Sequence, residues 1–247
     1  PGEGRNAVTK TIAVTNQKGG VGKTTTSVNL AASLASTHRQ VLLIDMDPQG
    51  NATMGSGVDK RAIPASTYDV LLGEIALHDA LLPTEAGYDL LPANADLTAA
   101  EVGLLETDGR EQRLRTALAA ATDYDYILVD CPPALNMLTV NALVAADTVM
   151  IPMQCEYYAL EGLSALLDTI RRIQEQLNPD LEVEGLLRTM FDPRNRLATD
   201  VSRQLTDHFG GKVYRTVIPR NVRLAEAPSY GLPVLAYDKG SRGAQSY

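Results

Sequence analysis

The stretch that most narrows the folds open to this chain is Lys18-Gly19-Gly20-Val21-Gly22-Lys23-Thr24-Thr25, a glycine-rich turn. Before it, Thr11–Thr15 is a short apolar run that reads as a buried strand. After it, Val28, Leu30, Ala31, Leu34 and Ala35 recur at helical spacing. A strand, a tight glycine turn and a helix in that order form a phosphate cradle. The glycines let successive backbone N–H groups converge on phosphate oxygens, and the helix presents its positive end to them. The usual spacing, Gly-x-x-x-x-Gly-Lys-Ser/Thr, places a glycine where this chain has Gln17, so the match departs from it. In exchange the turn carries a second lysine, Lys18, five positions before Lys23. Lys23 is the candidate for the β- and γ-phosphates, and the Thr24 hydroxyl suits a Mg²⁺ whose other ligands are water and phosphate.

Two further apolar runs end in acids. Val41–Ile44 leads into Asp45, followed by Met46-Asp47-Pro48-Gln49-Gly50-Asn51, and Tyr126–Val129 leads into Asp130, followed by Cys131-Pro132-Pro133. Both runs are too short for helices and read as strands. In a parallel sheet the loops at the carboxyl ends of strands line the ligand crevice, so Asp45, Asp47 and Asp130 are expected to face the same space as Lys23. Asp130 is the candidate second acid of a phosphate-loop site. Pro48 and Gly50 fit a loop that a γ-phosphate could reorder. The plainer reading of each acid is a carboxylate that only caps the turn after its strand.

Along the rest of the chain, helical patches are expected at 68–72, 97–105 and 113–121, with a brief strand at 88–91. Residues 148–152 read as a strand. Leu160, Leu163, Leu166, Leu167, Ile170 and Ile173 form one apolar stripe on a long helix. A strand over 182–190, an amphipathic helix over 197–209 and a strand over 213–218 follow. Strands alternating with helices predict an α/β fold, a doubly wound, mostly parallel twisted sheet flanked by helices. At 247 residues this is expected to be one domain over residues 1–247, with either end open to trimming.

Charge is uneven. Residues 1–180 hold 12 basic and 23 acidic side chains, whereas 181–247 hold 10 and 7, so the basic end is set apart from an acidic remainder. Cys131 and Cys155 lack metal-ligand spacing and adjoin apolar runs, which points to buried, reduced thiols and a cytoplasmic setting. No run nears the roughly 18 apolar residues that span a bilayer, and the polar first eleven residues have no signal-peptide core.

Lys18–Thr25, Asp45–Asn51, Asp130–Pro133, Gln154–Gly162 and Val217–Pro228 together resemble the ParA/Soj chromosome-partitioning ATPases, over nearly the whole chain. The phosphate loop is shared by the wider deviant Walker A group, and the later blocks favour the ParA branch. The resemblance implies ATP and Mg²⁺ as cofactors and an ATP-sandwich homodimer in which Lys18 reaches the partner subunit's phosphates. It gives Gly19, Gly20, Val21, Gly22, Lys23, Thr24 and Thr25 to the phosphates, and Asp47 to the attacking water. Asp45 and Asp130 fall to the Mg²⁺ surroundings through water, and Pro219 and Asn221 to the adenine. A cation entering from a second subunit would neutralise charge developing in phosphoryl transfer, so turnover would depend on dimerisation. The resemblance further implies nonspecific DNA binding through Arg194 and Arg220, nucleoid association, and a ParB-like centromere-binding partner that stimulates hydrolysis. Local charge adds Arg196, Arg203 and Arg223. Arginine pairs bidentately with phosphate, and a dimer doubles a modest patch.

Two other functions compete. A MinD-like membrane-cycling ATPase needs a basic amphipathic C-terminal helix, which Gly240–Tyr247 is not expected to supply. Relatives usually continue with a helix at this point, and none is expected here. An iron–sulfur electron carrier needs cysteines exposed at a dimer axis, which the positions of Cys131 and Cys155 disfavour.

Overall fold

The strands that end at the candidate acids lie side by side. In a computed structural model, which describes residues 8–247, β1 (Lys10–Val14), β2 (Val41–Asp45), β3 (Leu82–Pro83), β4 (Asp89–Leu91), β5 (Tyr126–Asp130), β6 (Thr148–Gln154), β7 (Glu182–Phe191) and β8 (Val213–Pro219) form one sheet. Its order is β3-β4-β2-β5-β1-β6-β7-β8. All neighbours are parallel except the β3–β4 pair. Of the first eleven residues, on which the expectation about a signal peptide rests, residues 1–7 lie outside the described ones.

The strands read as continuous apolar runs because both sheet faces are covered. Ile12, Leu43 and Leu128 enter one core with Val28 and Ala31. Their neighbours Ala13, Leu42, Ile44, Ile127 and Val129 enter the other with Leu138, Leu143 and Leu166. One helical layer contains α1 (Lys23–Ser36), α2 (Asn51–Gly55), α10 (Val222–Glu226), α11 (Val234–Tyr237) and α12 (Arg242–Ser246). The other contains α3 (Thr67–Leu72), α4 (Leu77–Ala80), α5 (Ala100–Leu105), α6 (Arg113–Leu118), α7 (Met137–Ala145), α8 (Ala159–Gln176) and α9 (Arg196–Phe209).

Several helices begin where the sequence supplies a cap. Asn136, Asn195 and Asn221 accept from Thr139, Ala198 and Leu224 backbone N–H groups at 3.2 Å each, and Ser66 with Asp69 forms a capping box. α1 differs: its N-cap is Gly22, in the left-handed region at φ 89°, with no side-chain cap. Its first N–H groups therefore lack side-chain partners and face the turn.

The structure corrects some boundaries and adds elements. α1 starts at Lys23, directly after the turn as expected, because glycine geometry and not an apolar stripe sets its start. The segment 97–105 divides into a 3₁₀ turn, Ala95–Ala99, and α5; the helix expected to reach 121 stops at Leu118. α7 escapes sequence reading because it is apolar almost all round, with Leu138, Ala142, Leu143 and Val144 buried. Pro152 lies inside β6, yet β6 pairs with β1 only as far as Met150, so the proline falls past that ladder. The last stretch, expected to hold no helix, contains α12, capped by Ser241 Oγ, which accepts from Ala244 N at 3.2 Å. Among the described residues, no helix is long and apolar enough to cross a membrane.

Candidate functional site

Parallel pairing places Asp45 opposite Asp130, and Asp130 opposite Val14, at the carboxyl ends of β2, β5 and β1. The glycine turn leaves β1 at that same edge and rises over it. Asp130 is fully buried, and its two oxygens accept from Thr24 Oγ1 at 2.8 Å and Ser27 Oγ at 2.9 Å. Asp130 is thus tied to the start of α1 directly. Burial, then the nearby Asp45 charge, pushes its carboxyl above the ordinary range, against the two hydroxyl bonds.

Asp45 is also fully buried. One oxygen accepts from Thr53 N at 2.9 Å and Thr53 Oγ1 at 2.7 Å, and the other from Asp47 N at 3.1 Å. Burial raises this carboxyl too, opposed by those hydrogen bonds. Both oxygens hold the following loop, so in this arrangement Asp45 fixes where Asp47 sits. The loop turns at Gly50, φ 63°, where an added Cβ would lie 2.7 Å from the Ala93 carbonyl oxygen. Only glycine fits that approach. Asp47 lines the cavity and accepts from Gln49 N at 2.9 Å.

Lys23 is only 7 % exposed, and its Nζ donates to the Lys18 carbonyl at 2.9 Å, closing the turn on itself. Burial lowers its pKa from the usual lysine range, against the charges of Asp130, Cys131 and Asp47. Lys18 points elsewhere: its ammonium pairs with Glu156 of the same chain, and its N–H donates to Asn16 Oδ1 at 3.0 Å.

A cavity of about 480 Å³ opens in front of the turn. One wall is Gly19, Gly20, Gly22, Lys23, Thr24 and Thr25. The opposite wall is Ile218, Pro219, Arg220, Asn221 and Leu224, from the end of β8 and α10, with Met190 and Tyr247. Pro219 and Asn221 therefore border the same space as the turn, while Val21 is buried behind it. Sequence reading missed Ser27, Thr53, Thr189 and Tyr247. Tyr247 shares a 3.0 Å hydrogen bond with Thr26, and burial pushes its phenol up to about 12.

The candidate arginines differ in their partners. Arg194 grips Asp192 with Nε and Nη2, each at 2.9 Å, and holds that carboxyl down at about 2. Arg223 bridges Glu226 at 3.0 Å and Asp238 at 3.2 Å, and Arg203 pairs with Asp200 at 2.9 Å. Arg220 has a neutral partner, the Gln154 side-chain oxygen, at 3.0 Å from its Nη2 when the amide is turned to fit its neighbours. Arg196 opens α9. Cys131 and Cys155 are both buried, and burial pushes both thiols up, Cys155 to about 11.

A protein-family profile described as an AAA domain matches residues 9–183. The sporulation initiation inhibitor protein Soj of Bacillus subtilis is 54 % identical, with 96 % of this chain and 95 % of its own length aligned. The chromosome partitioning protein ParA of Myxococcus xanthus is 53 % identical, over 97 % of this chain and 86 % of its length. Among solved structures, cobyrinic acid a,c-diamide synthase from Mycobacterium smegmatis with bound ATP analog and magnesium superposes at a TM-score of 0.87. That chain is 42 % identical, with 97 % of this chain and 91 % of that one covered.

Proposed function

Because the chain belongs to the ParA/Soj family of chromosome-partitioning ATPases, we propose that it is a DNA-segregation ATPase of the cytoplasm and nucleoid. It binds Mg·ATP as a sandwich dimer, holds nonspecific DNA in that state, and releases it on hydrolysis stimulated by a ParB-like partner. One observation carries the reading. A capless helix start, a buried lysine and Asp47 border a single cavity, with Asp45 and Asp130 buried at the paired strand ends next to them.

The residues fit their proposed roles. Gly19–Thr25 bind the phosphates through backbone N–H groups and Lys23, and Pro219 and Asn221 border the base end. Thr24, with Asp130 and Asp45 behind it through water, would hold Mg²⁺. This donor set is all oxygen, as a hard cation prefers, and the two buried carboxylates favour a cation nearby. Among the described residues, no three His, Cys, Asp or Glu side chains cluster as a metal cage, which suits a cation whose other ligands are phosphate and water. When bound, Mg²⁺ neutralises charge on the phosphate oxygens. Asp47 orients the attacking water, and Lys18 acts on the partner subunit's nucleotide.

The membrane-cycling alternative has less support, since relatives at about half identity over nearly the whole chain bear partitioning names.

The test is retention on nonspecific DNA and on anionic vesicles with ATP or ADP across a salt series. ATP-dependent DNA retention that weakens with salt is expected. Vesicle binding without DNA binding would sink the reading. Among the candidate arginines, Arg220 combines a neutral partner with a place on the cavity wall. Arg220→Glu is expected to abolish DNA retention; because Arg220 also borders the cavity, ATP affinity and dimerisation are measured in parallel, and loss of ATP binding would assign Arg220 to the nucleotide instead. Unchanged DNA affinity would move the DNA surface elsewhere.

A further inference from the structure

We propose that Thr189 is a positioning residue that holds the phosphate cradle in its binding shape before nucleotide arrives, an inference that rests on the nucleotide-binding reading above. Thr189 lies near the end of β7, opposite Gln154 of β6, and is 2 % exposed. Its Oγ1 donates to the Val21 carbonyl at 2.6 Å and lies 3.2 Å from the Met153 carbonyl.

Val21 sits between Gly20 and Gly22, both in the left-handed region at φ 72° and 89°. A turn that aims its N–H groups at a ligand sends carbonyls the other way, into the protein, where each needs a donor. Thr189 supplies one from a strand that is not contiguous with the turn. Its Cβ and Cγ2 also lie 3.5 Å from where a Cβ on Gly22 would stand, so the side chain backs the glycine that starts α1. The hydroxyl and methyl thus act on two successive residues of the cradle.

The next residue, Met190, adopts φ 48° without being glycine and lines the nucleotide cavity. Such a conformation persists only where surrounding structure enforces it. On its far side the Phe191 carbonyl accepts the Arg220 N–H at 3.4 Å. The end of β7 therefore connects the cradle to the opposite wall of the cavity, with Thr189 as its anchor on the cradle side.

The experiment compares wild type, Thr189→Val, Thr189→Ser and Thr189→Ala for binding of ATP, ADP and adenosine, alongside backbone amide exchange in the nucleotide-free protein. Valine keeps the shape and removes the donor. Thr189→Val is expected to weaken ATP and ADP binding about tenfold, about 1.4 kcal/mol, with adenosine unaffected and exchange faster across residues 19–24. Thr189→Ser should stay within about twofold of wild type, because the donor remains. Folded Thr189→Val with wild-type ATP affinity overturns the proposal, as does a serine variant as impaired as valine. If the valine variant does not fold, serine against alanine decides the same question. If wild type itself binds no ATP, the nucleotide reading fails and the proposal fails with it. Wild-type binding with no valine defect overturns the proposal alone.

Discussion

Asp47→Ala is expected to lower ATP turnover by about two to three orders of magnitude while leaving ATP binding and dimer formation in place. The expectation follows from how the carboxylate is held. Asp45, buried at the end of β2, anchors the Asp47 N–H, and the Gln49 N–H in turn donates to Asp47 Oδ1. The first of these bonds is made by the Asp47 backbone and survives in alanine, while the second is lost with the carboxylate, so the loop stays anchored to Asp45 when the side chain is removed. Asp47 borders the same cavity as the lysine that closes the turn, within reach of a water beside bound phosphates. Single-turnover hydrolysis with saturating ATP, together with light scattering for the dimer, separates the steps. Turnover equal to wild type would remove Asp47 from the chemistry. Lost ATP binding would make it a nucleotide-binding residue instead.

Lys18→Ala is expected to cost about three orders of magnitude in turnover, in the range of a cation supplied from a second subunit. In the single chain the Lys18 ammonium rests on Glu156, with the two side chains 52 % and 41 % exposed. An exposed pair of this kind is worth about 0–1 kcal/mol, so giving it up for a partner's phosphates costs little. Mixing the two inactive variants tests the direction of reach. If Lys18 acts across the dimer, a mixed dimer of Lys18→Ala and Asp47→Ala holds one complete site, because its intact Asp47 and intact Lys18 meet from different chains. Recovery to about a quarter of wild-type turnover is expected, since about half the dimers are mixed and each has one live site of two. No recovery on mixing would place Lys18 in its own subunit's site.

The fold was legible because its strands must be apolar on both faces and because the glycine turn demands a strand before it and a helix after it. The acids were legible for a related reason: Asp45 and Asp130 end apolar runs, and parallel pairing brings strand ends together. What stayed hidden depends on distance in sequence. Thr26 and Tyr247 meet across 221 positions, and Thr189 and Val21 across 168. No local pattern marks a threonine as the donor to a remote carbonyl. Likewise, nothing local distinguishes Arg220, beside a neutral amide, from Arg194 and Arg223, already paired with acids. α7 was missed for the opposite reason, since a helix buried nearly all round has no stripe to detect.

The two-residue antiparallel strand Leu82–Pro83 closes one edge of the sheet. So short a strand, ending in a residue with no N–H to offer, gives another chain almost nothing to extend. For a protein proposed to join and part from its own copies at every turnover, that blunt edge removes a competing and far less reversible way of sticking together. The protection is one-sided, since the opposite edge is the seven-residue β8.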